Sequence, residues 1–268
     1  EEHREMISEL EYVTLDPMPL PRAFQTTALS NFSEITRCLE SPEGLVPLPT
    51  FVVANEIIDA FPCRVIQLQN ATWQEVFVTY QNNELQEVLH PCAISEIPEY
   101  LRDVSAFAEG YRTEFRDQVQ PFFDSLLAAM THGQLLFFDY GFAAPEYYHS
   151  DRRAGTLRVY KNHQASENPL DQPGLMDITA HVDFTDLARM AIAASCAVTC
   201  FEPQEFFLTR HGASKLEQWA QTPLLLRNFQ TLTHPSQLGG KFHAIEFSYQ
   251  EQSQSNVIAL RRLALEIS

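Results

Sequence analysis

Short apolar runs that end in polar clusters recur along the chain and alternate with stretches of helical period. Tyr12-Val13-Thr14-Leu15 predicts a strand that ends at Asp16 and is stopped by Pro17. From there to about residue 45 the pattern is weak and predicts a helix and a poor strand. Phe51-Val52-Val53-Ala54 is a continuous apolar run, as in a strand buried on both faces, and it leads straight into Asn55, Glu56 and Asp59. CRVIQLQ, WQEVFVTYQ and ELQEVLH are β-branched or alternating, with Gln69-Asn70 and Asn82-Asn83 between them. They predict a β-meander inserted over residues 63–95.

Residues 96–131 carry Phe115, Val119, Phe122, Phe123, Leu126, Leu127 and Met130 at helical spacing, with Pro121 opening a fresh helix or kinking one. Gln134 to Phe138 is a second buried run, and it delivers Asp139-Tyr140-Gly141 at its end. Residues 142–182 are irregular apart from GTLRVY and predict a lid or cover segment, since loops of that length are usually functional. VDFTDLARMAIAAS predicts a helix with Asp183 as N-cap and Asp186 three residues on. CAVTCF predicts a strand, EFFLTRHG and SKLEQWAQ helices, KFHAIEFS a last strand, and VIALRRLALEI a short amphipathic helix without an assigned role. The alternation of strand and helix, with insertions, predicts a single α/β domain over 1–268 on a mostly parallel sheet.

Composition narrows the function classes. With 35 acidic and 18 basic residues the formal charge is −17. Such a field repels phosphate backbones, so no nucleic-acid partner is expected. No apolar run approaches the roughly 18 residues that span a bilayer, so no membrane span is expected. Five cysteines, Cys38, Cys63, Cys92, Cys196 and Cys200, have no CxxC spacing and suit a reducing, cytoplasmic setting. The opening EEHREMISEL is acidic and polar, unlike a secretory leader. Its Met6, Ile7 and Leu10 read as a helix already under way, so the chain is expected to begin inside a domain.

The candidate chemistry gathers where the two buried runs end. An unpaired buried carboxylate costs several kcal/mol, which puts Glu56, Asp59 and Asp139 at the carboxyl edge of the sheet, where open α/β folds bind ligands. Asp16 ends another strand and could accept two vicinal hydroxyls, or merely start an Asp-Pro turn. His181 could move a proton or serve as a structural histidine. His149, His163, Asp177, His181 and Asp183 also have the right side chains for zinc or manganese, but no metal-binding box spaces them, and no metal is expected.

ANEIIDAFP, followed in order by DYG, EYYH, GTL and PLDQPGLMDITAHVDFT, resembles the MidA family of methyltransferase-like proteins over residues 51 to 248. The resemblance implies a Rossmann-like class I methyltransferase sheet with S-adenosyl-L-methionine as cofactor. Members with a known activity are protein arginine methyltransferases, and mitochondrial ones are tied to assembly of the respiratory NADH dehydrogenase. By position, the family pattern implies that Ala54, Asn55 and Asp16 bind the donor. Asn55, Glu56, Asp59, Asp139 and His181 would act in catalysis, and residues 177–183 would cover the cleft. The nine glycines nowhere form the family's GxGxG loop, so the sheet is expected to lack its first strand. The family's strand-end Glu aligns with Thr14, and Asp16, on the same side of the strand, would substitute for it. A protein substrate with an exposed arginine is implied, and the chain could pair as a homodimer. A degenerate, non-catalytic member that binds a partner during assembly is the alternative; a metal-dependent hydrolase is a third.

Overall fold

In this computed structural model, which describes residues 10–161, 164–166 and 168–266, the described chain opens with a parallel strand pair. Strand β1 (Tyr12–Leu15) pairs with β2 (Thr36–Leu39), and helix α1 (Pro19–Ala28) lies between them in sequence. Proline in the first turn of α1 has no N–H to leave unsatisfied, which suits a helix start. The chain divides into two units, residues 1–49 with 124–131 and residues 50–123 with 132–268. The β1–α1–β2 piece belongs to the first. Met6 and Ile7, and with them the expected opening helix, lie outside the described residues.

The apolar run 51–54 forms the middle of β3 (Leu48–Asn55), but only Ala54 is buried while Phe51 and Val53 are exposed, which corrects the expectation of a strand buried on both faces. The meander follows as predicted: β4 (Arg64–Gln69), β5 (Thr72–Gln81) and β6 (Glu84–Pro91) are successive antiparallel strands. Residues 70, 71, 82 and 83 all have positive φ, the conformation that tight hairpin turns require. Trp73 is the centre of the meander's own core, with Ile66, Leu68, Ile97, Leu101, Tyr111 and Phe115 around it. Its indole N–H donates to Leu101 O at 2.7 Å, so the buried ring leaves no polar atom unpaired.

The helical reading of 96–131 holds only in part. Three 3₁₀ turns lead to a strand, β7 (Arg112–Phe115), which pairs antiparallel with β4 and closes a four-stranded sheet in the order β6-β5-β4-β7. Helix α2 (Val119–Ala128) starts beyond it, with Pro121 in its first turn. RTEF gives no apolar alternation because Arg112 and Glu114 share one face, with Glu114 buried among polar partners, and only Phe115 is apolar on the other, so the strand has no hydrophobic signature. The sheet coils enough for Arg112 at one edge to reach Glu87 at the other, with N–O distances of 2.6 and 2.9 Å.

Strand β8 (Met130–Phe142) is the longest and carries the DYG sequence. It is followed by a single-turn helix α3 (Ala144–Tyr147) and by β9 (Arg158–Lys161), β10 (Gln164–Ser166) and β11 (Asp177–Thr179), which form a small antiparallel sheet within the expected cover segment. Then come β12 (Val182–Asp183), α4 (Phe184–Ala193), β13 (Cys196–Pro203), α5 (Gln204–Gly212), α6 (Leu216–Ala220), α7 (Pro223–Thr233), β14 (Phe242–Tyr249) and α8 (Val257–Arg262). The central sheet is mixed, in the order β12-β8-β14-β13, and β3 also lies against β8. Bonds from Leu48 N to Ala129 O and from Glu56 N to Phe138 O run in step, so β3 and β8 are parallel. β14 is antiparallel to both its neighbours, which corrects the mostly parallel expectation. Its alternating apolar residues fit either direction, so composition could not reveal the reversal.

Phe123, Phe137 and Phe247 meet with centroids 5.8 to 6.2 Å apart, all almost fully buried. Each such ring contributes roughly 2–3 kcal/mol on burial. The C-terminal helix now has a role. Arg262 donates to Phe201 O at 3.0 Å, Leu263 O accepts from the Thr185 hydroxyl at 2.7 Å, and Leu263 is fully buried, so α8 ties β13 to the start of α4.

Candidate active site

β3 leaves the sheet abruptly. Ala54 is buried at its end, Asn55 and Glu56 are exposed, and Glu56 adopts a left-handed backbone with φ of 50°. That conformation costs a non-glycine residue about 1 kcal/mol or more and persists only where its surroundings impose it. Here the Glu56 N–H still bonds Phe138 O at 2.9 Å, as the last rung against β8, while the next residues dive inward. Ile58 and Asp59 are 3 and 4 % exposed. The Asn55 amide donates to Glu56 Oε1 at 3.2 Å and leaves the other carboxylate oxygen open.

Asp139 holds that inward turn. Its Oδ2 accepts from Ile58 N at 3.0 Å and from Asp59 N at 3.2 Å, and its Oδ1 from Tyr140 N at 2.9 Å. It is only 1 % exposed. Burial first, then the charge of Asp59, pushes its carboxyl up to about 7, against the pull of the three N–H groups. Asp59 is raised too, chiefly by burial, and its Oδ2 accepts a short hydrogen bond from the Tyr140 hydroxyl. Thus the DYG sequence divides its work: Asp139 caps the turn's amides, Tyr140 grips the Asp59 side chain, and Gly141 lets β12 approach. A Cβ on Gly141 would lie 2.0 Å from Val182 O.

His181 sits in the segment after β11. Its ring packs edge-on against Tyr140 and Phe142, with centroids 5.4 and 5.0 Å away, and its backbone N–H bonds the Thr156 hydroxyl at 3.1 Å. Burial, then the nearby Arg152, Arg158 and Arg116, lowers it to about 4, so the imidazole is neutral near pH 7. Asp16, in the first unit, accepts from Met18 N at 2.9 Å and from the Gln25 amide at 3.3 Å, as a turn initiator does. In the second unit, the structure brings Asn55, Glu56, Asp59, Asp139 and His181 to one edge of the central sheet. Asn55 and Glu56 are the exposed ones; the others support from beneath.

Two charged residues that sequence reasoning passed over complete the support. Arg116, just past β7, and Glu114 within it are 7 and 2 % exposed. Glu114 accepts from Thr156 N, the Thr156 hydroxyl and Leu157 N at 3.0 to 3.3 Å. Gly155 has φ of 76°, and a Cβ there would come 2.2 Å from Glu114, which explains the glycine of GTL. The signal available was the i, i+2 placement of two charges on one strand face, legible only once RTEF is known to be a strand.

Asp183 performs the predicted capping: its Oδ1 accepts from Thr185 N and Asp186 N at 3.0 and 3.1 Å, and its Oδ2 from the Tyr148 hydroxyl at 2.9 Å. Burial, then Asp186, raises it to about 7. The folded carboxyl therefore binds its proton more tightly than the unfolded chain does. Its stabilising contribution is complete below about pH 4 and disappears as pH rises through about 7. An asparagine at this position would cap equally well without the charge. Urea unfolding of Asp183→Asn should match wild type near pH 4 and exceed it by roughly 2 kcal/mol at pH 8, allowing for partial solvent screening. A constant difference across that range would refute the assignment.

Among the described residues, the one trio of metal-type ligands is Glu75, Cys92 and Glu96, and the Arg64 guanidinium fills it, 2.8 Å from Glu75 and 2.6 Å from Glu96. His149, Asp177, His181 and Asp183 form no such group there, and His163 lies outside the described residues. No helix among the described residues is long and apolar enough to cross a membrane.

Known proteins resemble this chain in sequence and in fold. Residues 1–202 match a family described as "Putative S-adenosyl-L-methionine-dependent methyltransferase". The protein arginine methyltransferase NDUFAF7 of Rattus norvegicus mitochondria is 28% identical over 88% of this chain and 56% of its own length. The Drosophila melanogaster homolog is 30% identical over 81% and 50%. The chain thus spans about half the length of these relatives. A crystal structure from Burkholderia thailandensis, described as a "likely methyl transferase" bound to S-adenosyl-homocysteine, superposes with a TM-score of 0.79 at 30% identity, covering 94% of this chain and 67% of that one. By the family match across three quarters of its length, the chain belongs to the MidA family of S-adenosyl-L-methionine-dependent methyltransferases.

Proposed function

We propose that the protein carrying this chain transfers a methyl group from S-adenosyl-L-methionine to a guanidinium nitrogen of an arginine in a partner protein. The observation that carries the reading is Glu56, an open carboxylate held in a left-handed turn at the carboxyl edge of the sheet. A guanidinium presents paired N–H donors, and a carboxylate binds them bidentately, which orients the group and favours electron density on the attacking nitrogen. Asn55 steadies one Glu56 oxygen and, with the small Ala54, offers acceptors and room beside the donor. When bound, the donor supplies an electrophilic methyl on a cationic sulfonium, and the open carboxylate and amide oxygen are suitable neighbours for that charge. Asp59, Asp139 and Tyr140 hold the turn rather than touch the substrate. The nitrogen's proton passes to the Glu56 carboxylate, since burial and the nearby arginines oppose protonation of His181, which supports the turn instead. The ribose role of Asp16 is proposed on its residue type and its strand-end place, with lone pairs beyond the two it already uses. The net charge of −17 attracts a cationic acceptor segment.

The finer fold reading, a Rossmann-like class I methyltransferase sheet completed by a first strand not in this chain and covered by 142–182, is proposed with it. The likeness to the S-adenosyl-homocysteine-bound structure and the names of the arginine methyltransferase relatives support both.

Calorimetric titration of S-adenosyl-L-methionine into this chain, and into a form extended toward the length of its relatives, tests the donor half. Incubation of the extended form with methyl-labelled donor and an Arg-Gly polypeptide, followed by acid hydrolysis, tests the acceptor half. Saturable binding and labelled methylarginine are expected. Binding by neither form would leave the partner-binding alternative in possession.

A further inference from the structure

We propose that Arg116 is a positioning residue for this reaction: its guanidinium clamps the turn after Glu56 to the segment that ends the cover, so that the two move as one body. The proposal rests on the functional reading above for its consequence, though not for its geometry.

Arg116 Nη2 donates to Asp59 O at 3.1 Å and to Ala180 O at 2.6 Å, and Nη1 donates to His181 O at 3.0 Å. Ala180 N also donates to Asp59 O at 3.3 Å, so four atoms of two distant segments meet in one hydrogen-bonded patch. These three acceptors of the guanidinium are all backbone carbonyls. Taking a cation out of water costs several kcal/mol, and partial charges on carbonyls offset that less completely than a carboxylate would. An apolar side chain would fill the space at lower cost if packing were the only need. What the guanidinium adds is direction, because its donors form a rigid fork that fixes three oxygens in one plane, which a lysine cannot do.

The clamp works on the residues that matter. Asp59 is held by its N–H on Asp139, by its carboxylate on Tyr140 and by its carbonyl on Arg116. Two come from β8 and the third from the far side, so the turn that aims Glu56 is fixed from both flanks. On the cover segment, Arg116 holds the 180–181 backbone while Glu114, two residues earlier on the same strand face, holds Thr156 and Leu157. Thr156 closes the ring by accepting the His181 N–H. The four-stranded sheet therefore serves the site: its edge strand β7 carries Glu114 and leads directly into Arg116.

Amide hydrogen exchange and kinetics together test this. In Arg116→Lys, which keeps the charge and loses the fork, amides of 57–61 and of 180–182 should exchange about tenfold faster together, with β13 and β14 unchanged. Turnover should fall about a hundredfold while donor affinity stays within about twofold, since the turn is displaced and the donor contacts are not. Uniform acceleration that includes β13 and β14 would reduce Arg116 to a general stabilising role and overturn the proposal, as would unchanged exchange in both segments. Should the variant not fold, the wild type decides: the clamp requires protection in the two segments to agree within about threefold, and a disparity of tenfold or more sinks it. A wild type that binds donor yet methylates nothing would remove the reaction and leave the exchange result standing.

Discussion

Replacing Glu56 with glutamine should lower methyl transfer about a thousandfold and leave donor affinity within about twofold, a loss of roughly 4 kcal/mol of transition-state stabilisation. The change preserves size and the exposed position, and it removes the charge that a guanidinium would pair with. Two charge-assisted hydrogen bonds, each worth about 1.5–3 kcal/mol, are replaced by one neutral acceptor and a mismatched donor. Because Glu56 is exposed and its backbone bond to Phe138 O does not involve the side chain, thermal stability should hardly move. Single-turnover transfer with labelled donor, beside calorimetric donor titration, makes the measurement. Undiminished transfer would strip Glu56 of its assigned part.

The second large effect is on stability. Gly141→Ala should cost about 3 kcal/mol and lower the melting midpoint by roughly 8 °C, read by calorimetry or circular dichroism. Its Cβ would come within 2.0 to 2.8 Å of Val182 O, N and C, all backbone atoms that cannot rotate away. β12 pairs with β8 through only two residues, Gly141 with Val182 and Phe142 with Asp183, so a shift of about one ångström unpairs it. Buried Ala180, Val182 and Phe184 would then lose contact, and the cap of α4 with them. A variant as stable as wild type would mean that the DYG glycine serves something other than this close approach.

How much of this could be read from residue order differs by element. The strand end at 139 was legible because, in an α/β fold, a long apolar run that stops on a carboxylate marks the place where a buried strand meets water; the run 51–54 ends on Asn55 and Glu56 as expected, although Phe51 and Val53 are themselves exposed. Residues 63–95 were legible because period two and paired polar turns coincide. β7 was not, since one of its faces carries Arg112 and Glu114, and the burial of Glu114 is made tolerable by groups about forty residues away in sequence. Helix α7 did carry a readable stripe, Leu225, Leu226, Phe229 and Leu232 behind a proline start, and was missed although the Trp219–Phe229 contact anchors it in the fold. The duties of the acids were hidden for a related reason. Asp139 and Glu56 look alike as letters; one spends its oxygens on amides about eighty residues away and the other faces water.

Glu56 itself sits in a conformation that L-amino acids avoid, with a charged side chain facing solvent where glycine would be at ease. A protein optimised only to stay folded would place glycine there. A glycine at position 56 would relieve that backbone and forfeit the carboxylate, so a cost in folding stability and a charge at the sheet's edge are joined in one residue.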